Sequence, residues 1–204
     1  MHILLASNNG HKREELAALL KGVELELPSD LGIDFDCDET GTTFLENSML
    51  KARSLFYLVG GRHAVLADDS GLLVDSLPGE LGIHTARFGS PDGIQLLTAE
   101  QKNRLLIKRL EGLDRRAHFV CCLTLMVSEN EIYTIQRAVN GSISTHLEGS
   151  GGFGYDPVFV IDGYNVTMAT LGTEVKNRIG HRALASRAML AVINEIEKDG
   201  GDRA

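Results

Sequence analysis

This chain of 204 residues lacks the sequence features of secreted, membrane-spanning and zinc-binding proteins. It has no tryptophan and only three cysteines, with no C-x-x-C pair, so we predict free thiols rather than disulfides or zinc ligands. No apolar run reaches membrane-spanning length, and the first residues lack the basic start and cleavage site of a signal peptide. These absences predict a cytoplasmic protein that does not enter a membrane.

An excess of positive charge is also missing. Lys+Arg number 20 against 28 for Asp+Glu, and the net charge of -8 disfavours a general affinity for a nucleic-acid polymer. With 43% hydrophobic and 24% charged residues and no low-complexity tract, the chain reads as an ordinary globular protein. The length fits a single domain over residues 1–204, with or without two lobes.

The chain begins with a strand, loop and helix pattern. An apolar run, His2–Ala6, precedes a turn at Ser7–Gly10 and a helix predicted over Lys12–Lys21. Such a unit points free backbone N–H groups at the loop, where a phosphate can bind, and Lys12 would add a positive charge. Asn8 or Asn9 could instead simply cap the helix. The Walker pattern is absent, so the loop is not a P-loop.

A second helix is predicted to begin near Thr43, where Thr43 and Glu46 fit a capping box. Its predicted apolar stripe comprises Leu45, Met49, Ala52, Phe56 and Val59. The same helical wheel puts Asn47 and Lys51 on the opposite face, where ordinary solvation is the simplest role for Lys51. Glu46 lies at the edge of the stripe, so capping and ligand binding both remain open for it.

Two adjacent carboxylates follow a short buried strand predicted over Ala64–Ala67. Successive side chains of a strand point to opposite faces, so Asp68 and Asp69 can both turn inward only if the backbone bends, and Gly71 could supply that bend. Neighbouring acids at the end of a strand suit a divalent cation and a water that loses a proton. Taken alone, this stretch could equally be a polar turn.

The second half of the chain alternates between helices and strands. We predict a helix over Ile94–Leu110, a central buried strand over Phe119–Val127, and an antiparallel partner over Ile132–Asn140. A short strand is predicted over Val158–Ile161. The last helix is predicted to end near Lys198, with a core stripe of Ala185, Met189, Val192 and Ile196.

A glycine-rich loop lies between the hairpin and the short strand. Glycines permit close backbone approach to a ligand, and Phe153 and Tyr155 could stack on a planar base or could pack beneath the loop. A polar segment then carries Lys176 and leads to His181 and Arg182, which cluster near the start of the last helix.

Taken together, these motifs resemble those of the inosine triphosphate pyrophosphatases, which hydrolyse non-standard purine nucleoside triphosphates such as ITP, dITP and XTP. Matching segments occur in the family's order and cover almost the whole chain: Ser7-Asn8-Asn9-x-x-Lys12, Phe44-x-Glu46-Asn47 with Lys51, Ala67–Gly71, Ala86–Phe88, Gly152–Pro157, and Lys176 followed by His181-Arg182. Departures include Leu81 for proline, Thr85 for serine and Gly180 for serine. Gly180 removes a hydroxyl beside the expected base pocket.

The resemblance implies an α/β fold with a curved mixed β-sheet flanked by helices, two lobes with a central cleft, a homodimer and a requirement for Mg²⁺. By the same resemblance, Asp69 would be the proton acceptor and a metal ligand, and Glu46 would be a second metal contact. Because Asp68 is adjacent to Asp69, we expect it as a further metal contact. The phosphate-binding residues would be Ser7, Asn8, Asn9, Lys12 and Lys51, with Ser70 beside them. The nucleoside pocket would comprise Phe153, Gly154, Tyr155, Asp156, Lys176, His181 and Arg182.

The implied reaction is attack of water on the α-phosphorus, which releases pyrophosphate and the monophosphate. Lys176 and Arg182, as donors facing the 6 position, would accept a 6-oxo purine and meet the amino group of adenine donor to donor. Two alternatives remain. One is a regulatory module that binds nucleotides without hydrolysis, and the other is a septum-formation-inhibitor-like pyrophosphatase acting on modified pyrimidine or methylated nucleotides.

Overall fold

The computed structural model describes residues 1–90 and 95–201. Six strands form one mixed sheet in the order β2-β1-β3-β4-β5-β6. The strands are β1 (His2–Leu5), β2 (Glu24–Glu26), β3 (Ala64–Val74), β4 (Arg116–Ser128), β5 (Glu131–Ile143) and β6 (Phe159–Ile161). The helices are α1 (Gly10–Leu19), α2 (Phe44–Leu58), α3 (Ala99–Arg109), α4 (Met168–Ile179) and α5 (His181–Gly201). A mixed sheet with helices was the predicted fold class and is confirmed.

Parallel and antiparallel pairing occur in the same sheet. Strand β1 pairs in parallel with β2 and with β3, and Leu5 lies opposite Leu66. Strands β5 and β6 pair antiparallel. Strands β4 and β5 are neighbours joined by the two residues Glu129 and Asn130, a connection that suits the predicted hairpin. The predicted central strand at Phe119–Val127 is confirmed and extends at both ends.

The chain divides into two compact units. Unit 1 comprises Met1–Asp69, Cys121–Arg137 and Arg182–Ala204, and unit 2 comprises Ser70–Val120 and Ala138–His181. Strand β3 is therefore cut between Asp69 and Ser70, and α5 between His181 and Arg182.

Unit 1 has an apolar cluster on each face of its strands. On one face, Leu66 of β3 packs with Leu16 of α1 and Met189 of α5. On the other face, Val65 and Ala67 of β3 pack with residues of α2, including Ala52 and Phe56. Because side chains alternate along β3, even-numbered and odd-numbered positions near Leu66 face different helices.

Unit 2 contains α3, β6 and α4 together with a 3₁₀ helix over Gly82–Arg87. The predicted helix start at Ile94 lies outside the described residues, and the described helix begins only at Ala99, because Thr98 accepts a hydrogen bond from Gln101 N and caps it. The sequence predicts only a polar segment where α4 lies, and the helix corrects that prediction. Gly172, with φ 77° and ψ 159°, interrupts α4 and breaks the helical periodicity there.

Two predictions about local structure are wrong. Strand β3 does not stop at Ala67 but continues through Gly71 to Val74, so no bend separates the two aspartates. In α2, Leu45 is 47% exposed, whereas Asn47 and Lys51 are buried. In α5, the predicted core stripe is confirmed, since Ala185 and Met189 are buried and Val192 and Ile196 pack, partly buried, against the same cluster, to which Ile193 also belongs.

The three cysteines are free thiols, of which Cys121 and Cys122 are buried. Burial raises the pKa of the Cys122 thiol, which keeps it protonated and unreactive. Within residues 1–90 and 95–201, no helix combines the length and the apolar character that crossing a membrane requires.

Candidate active site

Asp68 and Asp69 lie in the middle of a regular strand, so their side chains point to opposite faces of the sheet. Both are buried, with 1% and 6% of their surface exposed. Asp68 continues the face that Leu66 shares with α1 and α5, and Asp69 continues the face that Ala67 shares with α2. The two carboxylates therefore have different partners and can have different roles.

The Asp68 carboxylate is held by two cations from distant parts of the chain. Lys12 Nζ donates to Oδ1 at 2.9 Å, and Arg182 Nε donates to Oδ2 at 2.6 Å. Arg182 also donates from Nη1 to Glu15 Oε2 of α1 at 2.9 Å. Burial alone would lower the pKa of Arg182, but the charges of Asp68 and Glu15 outweigh burial and raise it. Asp68 is therefore the centre of a buried charge network in unit 1.

The Asp69 carboxylate has a single described cationic partner. Lys51 Nζ donates to its Oδ1 at 2.7 Å and also to Glu39 Oε1 at 3.3 Å. Burial raises the pKa of Asp69, although Lys51 and Lys12 oppose that shift. The other oxygen, Oδ2, is buried and has no hydrogen-bond partner among the described residues. One oxygen of Asp69 is thus available to a cation, a water or a proton.

The two lysines also converge on one main-chain oxygen. In the parallel pair, Ala6 N donates to the carbonyl of Leu66, and the chain then turns at Ser7, where Ser7 N bonds back to Leu5. The next carbonyl on that edge of β3, that of Asp68, lies beyond the end of β1, and it accepts from Lys12 Nζ at 3.1 Å and from Lys51 Nζ at 2.9 Å. The end of β1 therefore creates the opening in which both ammonium groups sit.

The loop after β1 has the geometry of a helix cap. Asn9 Oδ1 accepts from the backbone N–H groups of His11 and Lys12 at 3.0 and 3.2 Å, and Ser7 Oγ accepts from Asn9 N at 3.1 Å. Asn8 Nδ2 donates to the carbonyl of Phe35 at 2.7 Å, which ties this loop to the chain before α2. The capping alternative is confirmed for Asn9, and it leaves Lys12 directed to Asp68.

Glu46 forms only half of the predicted capping box. Thr43 Oγ1 accepts from Glu46 N at 3.1 Å, but Glu46 Oε2 accepts from Thr42, from its backbone N at 2.6 Å and its hydroxyl at 2.8 Å. These bonds, led by the one from the Thr42 backbone, lower the pKa of Glu46. Glu46 is exposed and ionised at the start of α2, with a partner of its own.

In unit 2, the glycine-rich loop is ordered around a buried carboxylate. Asp156, 2% exposed, accepts from Phe153 N at 2.8 Å and from Lys176 Nζ of α4 at 2.7 Å. The Lys176 ammonium also lies 4.9 Å from the centre of the half-buried Phe153 ring. A Cβ at Gly152 would come within 1.9 Å of Asp156 Oδ2, so only glycine allows this approach.

The remaining aromatic groups of unit 2 are packed rather than open. Tyr155 is buried, donates from its hydroxyl to the carbonyl of Thr85 at 3.0 Å, and has a pKa raised by burial. This favours the packing alternative for Tyr155, whereas Phe153 is only half-buried. The imidazole of His181 stacks on Phe119, with ring centres 4.6 Å apart and planes at 6°.

The predicted site residues divide between the two units. Unit 1 contains the phosphate-binding and metal-binding candidates, which are Ser7, Asn8, Asn9, Lys12, Glu46, Lys51, Asp68 and Asp69, and Arg182 joins them through Asp68. Unit 2 contains Ser70, which is half-buried after Asp69, and the candidates Phe153, Gly154, Tyr155, Asp156, Lys176 and His181. The assignment of Arg182 to the nucleobase stays a prediction.

Sequence reasoning missed two carboxylates. Glu15 pairs with Arg182, and its position one turn after Lys12 in α1 placed it on the helix face nearest the predicted phosphate loop. Glu39 pairs with Lys51, and no spacing rule connects a residue in an irregular acidic segment to a helix that starts later. Only the through-space contact identifies it.

The predicted group of three metal-binding carboxylates is not assembled. Among residues 1–90 and 95–201, no three His, Cys, Asp or Glu side chains are grouped so that they could hold a metal ion. Asp68 faces the opposite side of the sheet with both oxygens bonded, and Glu46 is bonded to Thr42. Asp69 still fits a hard divalent cation, because its buried Oδ2 is a carboxylate oxygen without a hydrogen-bond partner in the described part of the chain.

Comparison with known proteins gives consistent matches over nearly the whole length. A model of the Ham1 family matches residues 3–192. A dITP/XTP pyrophosphatase from Treponema denticola is 46% identical over 186 residues, which span 91% of this chain and 94% of that protein. A dITP/XTP pyrophosphatase from Thermoanaerobacter pseudethanolicus is 41% identical over 188 residues, covering 90% and 91%.

Solved structures agree with the sequence matches. The Ham1 protein of Staphylococcus aureus superposes with a TM-score of 0.82 at 35% identity, covering 96% of this chain and 99% of that one. A HAM1 protein from Coxiella burnetii superposes with a TM-score of 0.84 at 32% identity, again over 96% and 99%.

Proposed function

We propose that this chain, which belongs to the Ham1 family, is a nucleoside triphosphate pyrophosphatase that hydrolyses ITP, dITP and XTP to the monophosphate and pyrophosphate. Relatives named dITP/XTP pyrophosphatase support the reaction and the substrate class. The observation that carries the proposal is the buried Asp69 carboxylate, which has one oxygen on Lys51 and the other without a hydrogen-bond partner among the described residues.

In the proposed reaction, Lys12 and Lys51 bind the triphosphate. Both ammonium groups are held at the Asp68 carbonyl, which fixes their separation before substrate arrives. Negative charge grows on the leaving pyrophosphate as its bond to the α-phosphorus breaks, and two preorganised cations stabilise that charge. The backbone N–H groups near Asn9 belong to the same region, at the start of α1.

Asp69 is proposed as the proton acceptor. Its Oδ2 takes a proton from a water molecule while the water oxygen forms a bond to the α-phosphorus, and the bond from that phosphorus to the bridging oxygen breaks. The raised pKa that burial gives Asp69 makes it a stronger base than an exposed aspartate. Lys51, hydrogen-bonded to Oδ1, keeps the carboxylate oriented.

We propose Mg²⁺ as the cofactor, which the Asp69 carboxylate and a second carboxylate would hold. Mg²⁺ in such a site supplies charge neutralisation on the phosphate oxygens. Glu46 was the predicted second ligand, and Glu39 is the stronger candidate, because it shares Lys51 with Asp69 whereas Glu46 bonds to Thr42. The predicted contribution of Asp68 is replaced by a supporting role, the orientation of Lys12 and Arg182.

The nucleobase is proposed to bind to residues of unit 2. The exposed part of the Phe153 ring offers a stacking surface, and the Lys176 ammonium beside it offers a donor to the purine O6. Adenine presents an amino group at the same position, so a fixed donor there would disfavour ATP. The cleft, the homodimer and the cytoplasmic location implied by the resemblance remain part of the proposal.

A substrate panel tests the proposal. The protein is incubated with Mg²⁺ and limiting ITP, dITP, XTP, GTP, ATP or modified pyrimidine triphosphates, and pyrophosphate is measured. Release from ITP, dITP and XTP with little from ATP or GTP is the expected result. Release only from modified pyrimidine triphosphates would support the septum-formation-inhibitor-like alternative, and binding without any release would support the regulatory module.

A further inference from the structure

Asn103 of α3 makes a contact with the glycine-rich loop that the proposed reaction does not yet use. It is 1% exposed, and its Nδ2 donates to the carbonyl of Gly154 at 2.9 Å. Gly154 has a φ of 65° and lies between Phe153 and Tyr155. The side chain of a helix residue therefore holds the peptide unit between Gly154 and Tyr155, which directly follows Phe153.

Two further hydrogen bonds connect the glycine-rich loop, the 3₁₀ helix and α3, and together with the Asn103 bond we call them the bracket. Tyr155 donates from its hydroxyl to the carbonyl of Thr85 at 3.0 Å, and Lys102, next to Asn103, donates from Nζ to the carbonyl of Ala86 at 3.0 Å. Helix α3, the 3₁₀ helix and the glycine-rich loop are thus joined pairwise.

The bracket is continuous with the strand that carries the aspartates. Thr85 Oγ1 accepts from Leu72 N at 3.0 Å. Leu72 follows Asp69 and Ser70 on β3. The loop is therefore anchored to fixed secondary structure within unit 2 rather than only to itself.

Retention of an amide at position 103 carries an energetic disadvantage. Asn103 Oδ1 is buried and has no hydrogen-bond partner among the described residues. A buried unsatisfied acceptor is unfavourable, and an apolar side chain of similar size would remove that penalty. The hydrogen bond from Nδ2 to the Gly154 carbonyl offsets this penalty, and it fixes the position of the loop.

We propose that Asn103 is a positioning residue for nucleobase recognition, which acts by fixing the Gly154 carbonyl so that the Phe153 ring and the Lys176 ammonium keep their relative placement. This inference rests on the proposed function for the identity of the ligand. Loss of the Nδ2 donor would let the loop move, which weakens binding of the base without touching Asp69, Lys51 or Lys12.

The test compares Asn103→Leu and Asn103→Ala with the parent chain, using ITP and Mg²⁺. Both variants lose the donor, so we expect KM for ITP to rise about tenfold, equal to about 1.4 kcal/mol, with kcat within about threefold. Amide hydrogen exchange at Phe153, Gly154 and Tyr155 should accelerate in both variants. Ser186→Ala is the matched control, because Ser186 Oγ is also buried without a hydrogen-bond partner in the described residues but lies in unit 1.

Several outcomes would overturn the proposal. Unchanged KM and exchange, an equal KM change in the Ser186→Ala control, or a fall in kcat and melting temperature with KM unchanged would each assign Asn103 a purely structural role. Failure of both variants to fold would do the same. If the parent chain released no pyrophosphate from any purine triphosphate, the proposed function would fail, while amide exchange would still decide whether Asn103 positions the loop.

Discussion

Lys51 and Asp69 form a buried ion pair in which Nζ lies 2.7 Å from Oδ1, and the same ammonium reaches Glu39 at 3.3 Å. One lysine therefore neutralises two carboxylates, and a polyanionic substrate would compete for it. This competition ties substrate binding to the state of Asp69, which is the group proposed to take the proton.

Asp69→Asn is expected to abolish most turnover while the chain stays folded. Removal of a general base typically costs 10²- to 10⁴-fold, so pyrophosphate release from ITP should fall by at least about a hundredfold. Since burial raises the pKa of Asp69 above its ordinary 3.8, its stabilising contribution is present below that pH and is lost as pH rises through the folded value. The melting temperature of the variant should therefore rise relative to that of the parent chain as the pH increases from about 4. Near-normal turnover would remove Asp69 from the mechanism.

Asp68→Asn is expected to act mainly through stability. The substitution breaks a buried pair with Arg182, which is 2% exposed, and a broken buried pair typically costs about 3–5 kcal/mol. Urea unfolding at pH 7 should show this loss, and it should exceed the loss for Asp69→Asn. Equal stability of the two variants would contradict the division of roles between the carboxylates.

Lys51→Met tests how the stability of the protein depends on pH in the alkaline range. Burial would lower the pKa of Lys51, but Asp69 and Glu39 outweigh burial and raise it above 10.5. A raised folded pKa means that the stabilisation from Lys51 is complete below about 10.5 and is lost as pH rises through the folded value. The stability difference between the parent and Lys51→Met should thus stay level from pH 7 to about 10 and shrink above that. A difference that already shrinks below pH 9 would contradict the prediction.

Lys176 and Asp156 are suited to a double-mutant cycle. Lys176→Met removes the lysine from a carboxylate whose side chain is 3% exposed, so a loss of about 3–5 kcal/mol is expected. Asp156→Asn in addition should restore part of that stability, because the buried charge is gone. Lys176→Met should also lose the preference for ITP over ATP, measured as a ratio of kcat/KM. The double variant should not regain this preference. Recovery of the preference would show that Lys176 does not read the base.

The order of strands and helices in the first half of the chain follows from local sequence alone. Strand β1, the cap at Asn9 and the start of α2 at Thr43 were predictable because turn residues and apolar periodicity act within a few positions. Helix α4 was not, since Gly172 interrupts it and its polar residues hide the period. Strand β3 was shortened in the prediction because buried aspartates look like a strand end.

The arrangement of the candidate site depends on contacts between residues that are far apart in the sequence. The sequence predicts a solvated Lys51, because a lysine on a helix usually faces water. In the structure its ammonium group is buried and donates to Asp69 and to the Asp68 carbonyl. Arg182 reaches Asp68 across 114 positions of sequence, and no local pattern encodes that distance.

The sequence by itself determined the motifs, their order and hence the family. Each motif is a short run of covalently linked residues, such as Asp68 and Asp69, so it can be recognised without knowledge of the fold. The tertiary structure alone decided that these two carboxylates face opposite sides of β3, one bound to Lys12 and Arg182 and the other to Lys51. The reason is physical: a regular strand alternates its side chains, and packing of different helices on its two faces gives each carboxylate its own partners.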